Sequence, residues 1–271
     1  MNNSEHDSNE LKDLSHTIDR LVSQQYQNVR DFAKLKKIFK DLSLGYEQFD
    51  ISNQQYEQLK STLTPEMNQK ILQCKEHEEI KLKKYWKTFR ISRIAFYHNL
   101  NLVIETADIV SSKIVGKHLQ NWRDNQILLG TEQQSMDPEV LNKIQNCCEH
   151  LANVLWTTRK QLKMVPMYHE QLSDNEQNLP HLFKQMLENV DKLLVCLVKS
   201  TVIIENQPPQ VLLSNETFST NIRLLIGDTL NIKKMKPLVD VSIVSQQQAQ
   251  NFEKLVEKSD FKYGKLKNSS G

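Results

Sequence analysis

The sequence predicts a mainly α protein: a long antiparallel four-helix coiled-coil bundle followed by an incomplete β domain. Three observations carry this. Apolar residues recur at alternating steps of three and four over long stretches. The triplets Thr64-Pro65-Glu66 and Asp137-Pro138-Glu139 each read as a capping residue, a proline at the first helical position and an acid in the first turn. After Pro208-Pro209 the pattern changes to short runs rich in β-formers. The chain of 271 residues holds only 6 Gly and 7 Pro, which favours long helices over an all-β fold.

Met1–Glu10 is polar and reads as a disordered tail. From Leu11 the first helix carries Leu11, Leu14, Ile18 and Leu21, then Val29, Phe32, Leu35, Phe39, Leu42, Tyr46 and Phe49, interrupted once by Gln25. It is expected to end near Leu59–Leu63. The second helix starts at Pro65 and runs to Leu129, with Gly130 as its stop. Such a helix is roughly 97 Å long at about 1.5 Å per residue and must lie along partners. Gly116 sits inside it as a weak point or a close contact.

The third helix carries Leu141, Ile144, Cys148, Leu151, Leu155, Leu162 and Val165, and Pro166 should kink or end it. Pro180 opens the fourth helix. Its apolar residues, from Leu182 and Phe183 through Leu197 to Val202 and Ile203, lie nearly all round, so it is expected to be the buried centre of the bundle. It should stop at Pro208-Pro209, since proline lacks the N–H that a helix interior needs. Strands are expected at Val211–Leu213, Phe218–Ile226 and Leu238–Ser245. So few strands make no stable sheet alone, so the β domain reads as truncated at Gly271. The expected organisation is a tail (1–10), a coiled-coil domain (11–207) and the N-terminal part of a β domain (208–271).

Composition narrows the function. The formal charge of +2 predicts no strong whole-chain attraction to nucleic acid. The sequence contains no apolar run of spanning length and no signal-peptide h-region, so an intracellular chain without a membrane partner is expected. Cys74, Cys147, Cys148 and Cys196 have no disulfide-framework spacing and read as reduced thiols. No phosphate-binding glycine loop, nucleophile elbow or kinase element occurs. His77-Glu78 and Cys147-Cys148-Glu149-His150 have no partner at metal-ligand spacing. The expectation is therefore no enzyme, no catalytic residue, no metal and no cofactor.

Two basic clusters stand out. The second helix carries Lys75, Lys81, Lys83, Lys84, Lys87, Arg90 and Arg93 against Glu76, Glu78 and Glu79, and the first adds Arg30, Lys34, Lys36, Lys37 and Lys40. Lys81, Lys84, Lys87, Arg90 and Arg93, with Arg123 further on, form a candidate protein-docking or import face; a solvated coiled-coil face is the plain alternative. Tyr85, Trp86, Phe89, Phe96 and Tyr97 are expected mostly in the core, and any left outside would anchor a partner. Lys233, Lys234 and Lys236 follow the strand ending at Ile226 and suit phosphate contact by counterion release. An edge-protecting turn is the alternative.

One junction carries a family resemblance. Val202-Ile-Ile-Glu-Asn-Gln-Pro208, Phe218-Ser-Thr-Asn-Ile-Arg-Leu-Leu-Ile226 and Leu119-Gln-Asn-Trp122 resemble the signal transducers and activators of transcription, the STAT proteins, in their insect form. The resemblance implies a four-helix coiled coil entering an immunoglobulin-like (p53-like) DNA-binding domain. It implies a transcription factor of cytokine signalling, phosphorylated on tyrosine, cytoplasmic and nuclear. Its partners would be proteins at the coiled coil and DNA in the full-length context, with homodimers forming only through an SH2 domain. Trp122-Arg123-Asp124-Asn125 departs from the family's Trp followed by basic residues, so an import role extends no further than Arg123. The competing reading is a helical scaffold or tethering protein that binds no DNA.

Overall fold

The computed structural model describes residues 2–129, 138–170, 179–206, 217–230, 247, 248 and 251. The chain divides into two units, Met1–Asn231 and Ile232–Gly271. The first contains α1 (Asn2–Leu59), α2 (Pro65–Lys113), a π-helical turn (Ile114–Leu119), α3 (Gln120–Leu129), α4 (Pro138–Glu170), α5 (Leu179–Ser200), β1 (Val202–Asn206) and β2 (Asn221–Leu224).

Helix α1 starts at Asn2, so the expected disordered tail is helical. Residues 2–10 contain neither Pro nor Gly to stop the helix, and Glu10 is held by Lys117 at 2.5 Å. The buried stripe of α1 runs Leu11, Leu14, Ile18, Leu21, Gln25, Asn28, Phe32, Leu35, Phe39 and Leu42. This is an unbroken alternation of three and four, and two of its members are polar. Asn28 takes the place expected for Val29, which faces solvent. Gln25 does not interrupt the seam. Its Nε2 donates to Gln161 Oε1 at 3.0 Å and its Oε1 accepts from Thr158 Oγ1 at 3.3 Å. Gln25, Thr158 and Gln161 are all buried, forming one polar layer between α1 and α4.

The second helical rod is continuous from Pro65 to Leu129, as the absence of proline predicts. Thr64 accepts from the Met67 amide and caps its start. The rod widens into the π turn at Gly116. A Cβ there would meet nothing within 4 Å, so Gly116 marks a local unwinding and no close contact. The buried positions register the change: Ala107, Val110 and Ile114 are followed by Leu119, a step of five, and then Trp122. At Gly45 the rods do approach closely, since an added Cβ would lie 2.7 Å from Leu82 Cδ2.

Helix α4 carries the expected stripe, all of it buried, with Thr158 filling its gap. It continues past Pro166 to Glu170, so the proline does not end it. Helix α5 differs from expectation. Phe183, Met186, Val190, Leu194 and Leu197 are buried, but Leu182 and Val195 are exposed and Leu193 is half-buried. It presents one face to the bundle and is no all-round core helix. An aromatic chain ties the helices: Phe32 stacks on Phe96 at 5.2 Å, Phe39 lies 5.8 Å from Phe89, and Tyr97 meets Phe183 edge-on at 4.4 Å.

Helix α5 ends at Ser200, eight residues before Pro208, and Val202–Asn206 is a strand. The β-branched run Val202-Ile203-Ile204 pays less steric cost in a pleated ladder than in a helix. It pairs antiparallel with β2 in the register Val202↔Leu224, Ile203↔Arg223 and Ile204↔Ile222, with an irregularity before Asn206↔Asn221. The expected strand Phe218–Ile226 is shorter: regular pairing covers Asn221–Leu224, and Leu225–Leu230 forms a turn. The expected strands Val211–Leu213 and Leu238–Ser245 lie outside the described residues.

Candidate functional site

A single residue, Thr201, separates helix from strand. It is fully buried, its amide donates to Leu197 O at 3.0 Å, and its Oγ1 donates to the same carbonyl at 2.7 Å. Its own carbonyl accepts from the Leu225 amide at 3.0 Å. The last turn of α5 and the β ribbon are thus tied through one side chain and its backbone. A buried donor or acceptor left unpaired here would cost about 1–3 kcal/mol, so this geometry is over-determined.

The helical rod grips the same joint. Arg123 Nη2 donates to Ser200 O at 2.7 Å, satisfying a carbonyl that the end of α5 leaves open. Gln126 Nε2 donates to Glu205 O at 2.9 Å and Ile204 O at 3.3 Å. From the other side, Arg223 Nη1 pairs with Glu205 Oε1 at 2.8 Å. Arg223 Nη2 donates to Asn142 Oδ1 at 3.0 Å and to Gln145 Oε1. One guanidinium therefore joins β2, β1 and α4, a task that suits the rigid planar fork of arginine. Trp122, in the same helix as Arg123 and Gln126, is buried.

The π turn adds one residue to the helical repeat and so rotates everything after it by about 100°. That rotation is what presents Arg123 and Gln126 to the joint. Arg123, expected on a docking or import face, is half-buried and capped onto α5. Glu205, Arg223, Gln126 and Gln145 carried no site expectation. Glu205 and Arg223 belong to the two motifs quoted above, and that was the available signal.

The basic face is partly as expected. Lys81, Lys84, Lys87 and Arg90 are exposed on α2. Arg93 is not: it is fully buried, with its guanidinium 5.7 Å from the Phe89 ring centroid. Lys75 lies 4.1 Å over the Tyr56 ring, and Lys83 pairs with Glu79 at 2.6 Å. Among the aromatics, Phe89, Phe96 and Tyr97 are core, Trp86 is half-buried on Phe89, and Tyr85 is exposed. Lys233, Lys234 and Lys236 lie outside the described residues.

Burial pushes the Cys147 thiol up to about 11, with Asp19 adding to it. It pushes Cys148 up to about 12, reinforced by Cys147 and Glu149. Both are buried, whereas Cys74 and Cys196 are exposed. Among the described residues, no group of three or more His, Cys, Asp or Glu side chains forms a metal-holding arrangement. Within those residues no helix is long and apolar enough to cross a membrane.

The fold and the joint define a class: a long helical coiled coil whose last helix runs directly into a two-stranded β ribbon. Comparison with known proteins gives that class its family. Residues 6–194 match the family description "STAT transcription factor, coiled-coil domain", and residues 206–271 match "STAT protein, DNA binding domain". The chain is 32% identical over 170 residues to a "Signal transducer and transcription activator" of Anopheles gambiae. That match covers 62% of this chain and 23% of the relative, so the chain spans about a quarter of that protein's length. It is also similar to a solved structure titled "Crystal Structure of STAT2 in complex with IRF9", at a TM-score of 0.45 and 15% identity. That likeness covers 69% of this chain and 98% of the other. The chain belongs to the STAT family of transcription factors, which is not a family of enzymes.

Proposed function

We propose that this chain supplies the protein-docking and DNA-facing parts of a signal-activated transcription factor. The coiled coil binds protein partners, and residues 206–271 belong to the DNA-contacting domain. Lys233, Lys234 and Lys236 contribute phosphate contacts, and Lys81, Lys84, Lys87 and Arg90 the basic docking face. Cytokine-type signalling through tyrosine phosphorylation, SH2-mediated homodimers and a cytoplasmic-to-nuclear life cycle follow from the family and are part of the same proposal.

The observation that carries this reading is the joint. Glu205 lies in the middle of the helix-exit motif and Arg223 in the following strand motif, and the two meet at 2.8 Å. A scaffold that only tethers proteins through a coiled coil has no use for a strand pair anchored to its last helix. A fluorescence-anisotropy titration of duplex DNA with residues 1–271 tests it. Weak binding without sequence preference is expected, falling steeply with salt and lost in a Lys233→Ala/Lys234→Ala/Lys236→Ala variant. Binding unchanged in that variant would remove the lysines from the interface. Failure to bind at low salt would favour the scaffold.

A further inference from the structure

Helix α2 carries a second seam that faces solvent. Ile80, Lys84, Lys87, Ile91 and Ile94 fall at steps of four, three, four and three, and all five are exposed. Ile80, Ile91 and Ile94 are 59%, 60% and 51% exposed, unusual values for isoleucine on a well-packed bundle. The opposite face of the same stretch is fully engaged: Leu82, Phe89, Arg93 and Phe96 are buried. The helix therefore has two apolar seams and fills one. The exposed one spans about 21 Å at about 1.5 Å per residue, the contact length of a docked helix of four turns.

Its charge is one-sided. Between Ile80 and Ile94 the sequence holds Lys81, Lys83, Lys84, Lys87, Arg90 and Arg93, and no Asp or Glu. Lys83 is answered by Glu79 from the preceding turn, and Arg93 is buried. Lys84 and Lys87 stand in the seam itself, between Ile80 and Ile91, and neither forms an ion pair among the described residues.

We infer that this seam is the docking site for an acidic amphipathic helix of a partner protein, whose apolar residues cover Ile80, Ile91 and Ile94 and whose carboxylates face Lys84 and Lys87. The spacing selects a helix, because steps of four and three match the knobs of a facing helix. The lysines select its charge and argue against a second copy of this chain. Antiparallel two-fold pairing centred on the seam would set Lys87 against Lys87, and parallel pairing would set Lys84 against Lys84. Nucleic acid would leave the three isoleucines uncovered, since phosphate contact rewards only the lysines. The inference rests on the reading of the coiled coil as a protein-docking domain and adds the place and the chemistry.

The test is a fluorescence-anisotropy titration of residues 1–271 with labelled helical peptides of about 18 residues. They share a leucine seam and carry glutamate, glutamine or lysine at the flanking positions. The glutamate peptide is expected to bind at least about tenfold more tightly than the other two. Lys84→Glu/Lys87→Glu should reverse that order in favour of the lysine peptide. Ile91→Asp/Ile94→Asp should abolish binding with an unchanged circular-dichroism melt. Glutamate-peptide binding that survives both variants would overturn the seam but leave a docking coiled coil. No binding by any peptide below roughly 1 mM would count against both. Lysine-dependent binding of single-stranded RNA or anionic vesicles, with no peptide bound, would assign the face to a different partner class. Duplex DNA binding, measured in parallel, should be the same in all variants.

Discussion

The two halves of the Pro65–Leu129 rod belong to one continuous helical run, yet they live in different surroundings. From Phe89 to Trp122 a buried side chain recurs every turn, contacted by α1, α4 and α5. From Pro65 to Thr88 Leu82 is the buried residue, and the facing stretch of α1 from Ser43 to Leu59 buries Tyr56. The first half is a two-helix arm, held by Gly45 against Leu82 and by Tyr56 donating to Asn68 Oδ1 at 2.5 Å. The lesson is that a heptad repeat tells how a helix packs and not how many helices it packs against. Stability collects where several neighbours meet, and surface free for partners collects where there is one.

The comparison breaks most visibly through truncation. Leu100→Ala and Leu197→Ala remove fully buried side chains from the four-helix part and should each cost about 3–5 kcal/mol. Leu82→Ala in the arm should cost about 1–2 kcal/mol, because the gap opens toward solvent on most sides. Leu193→Ala belongs with the smaller group, since Leu193 is only half-buried. Urea unfolding of the four variants checks the ranking. Equal losses would mean that the arm is as well packed as the bundle.

Next in size is the polar layer. Gln25→Leu alone leaves Gln161 and Thr158 buried without their partner and should cost about 1–3 kcal/mol. Gln25→Leu/Thr158→Val/Gln161→Leu removes all the groups together and should restore most of that loss. Stability that keeps falling with each substitution would show that the layer acts through its hydrogen bonds rather than through register.

Much of this was legible in the sequence, and the misses are mostly matters of tertiary context. Helix starts at Pro65 and Pro138, the rod's extent to Leu129 and the stripe of α4 were readable because capping chemistry and apolar periodicity are local. Val29 was preferred over Asn28, and α5 was read as buried all round, because counting apolar residues ignores which face a neighbour occupies. Arg93 looked like one more surface cation for the same reason. The strand Val202–Asn206 was hidden by the helical run before it and by two prolines that looked like the boundary. Only the pairing with Asn221–Leu224 shows that the helix has already ended at Ser200. Arg123 and Gln126 reach the joint after the π turn, which no propensity scale marks.

At the joint, Arg223→Ala removes bonds to Glu205, Asn142 and Gln145 at once. These groups are partly exposed and can recover water, so about 1–2 kcal/mol is expected rather than the larger cost of a buried charge. The readout is local: amide exchange should quicken in Val202–Asn206 and stay unchanged in α1. Uniform quickening would show the joint to be part of the global core.

The thiols divide along the same line between buried bundle and open surface. Cys74 and Cys196 should react with a disulfide reagent at once, and Cys147 and Cys148 only on unfolding. The raised thiols give stability a pH dependence of their own. Below the ordinary value of 9.0 both states are protonated and their contribution is fully present. Above it the unfolded chain loses protons that the folded chain keeps until about 11 and about 12, so stability falls across that window. Cys147→Ser/Cys148→Ser should flatten the decline in melting temperature between pH 9 and 11. An unchanged slope would place its origin in other groups.

The smallest expected effect sharpens the comparison most. Lys84→Ala and Lys87→Ala remove exposed charges from the arm's outer seam, where like charges crowd and no carboxylate lies between Ile80 and Ile94. Truncation loses little packing and relieves some repulsion, so stability should move by no more than about 0.5 kcal/mol in either direction. Adding salt should narrow even that difference, because screening already weakens repulsion between exposed lysines. A loss above about 1 kcal/mol would mean that these side chains are engaged in the folded chain itself. The seam would then be part of the fold, and the arm would have no face to offer a partner there.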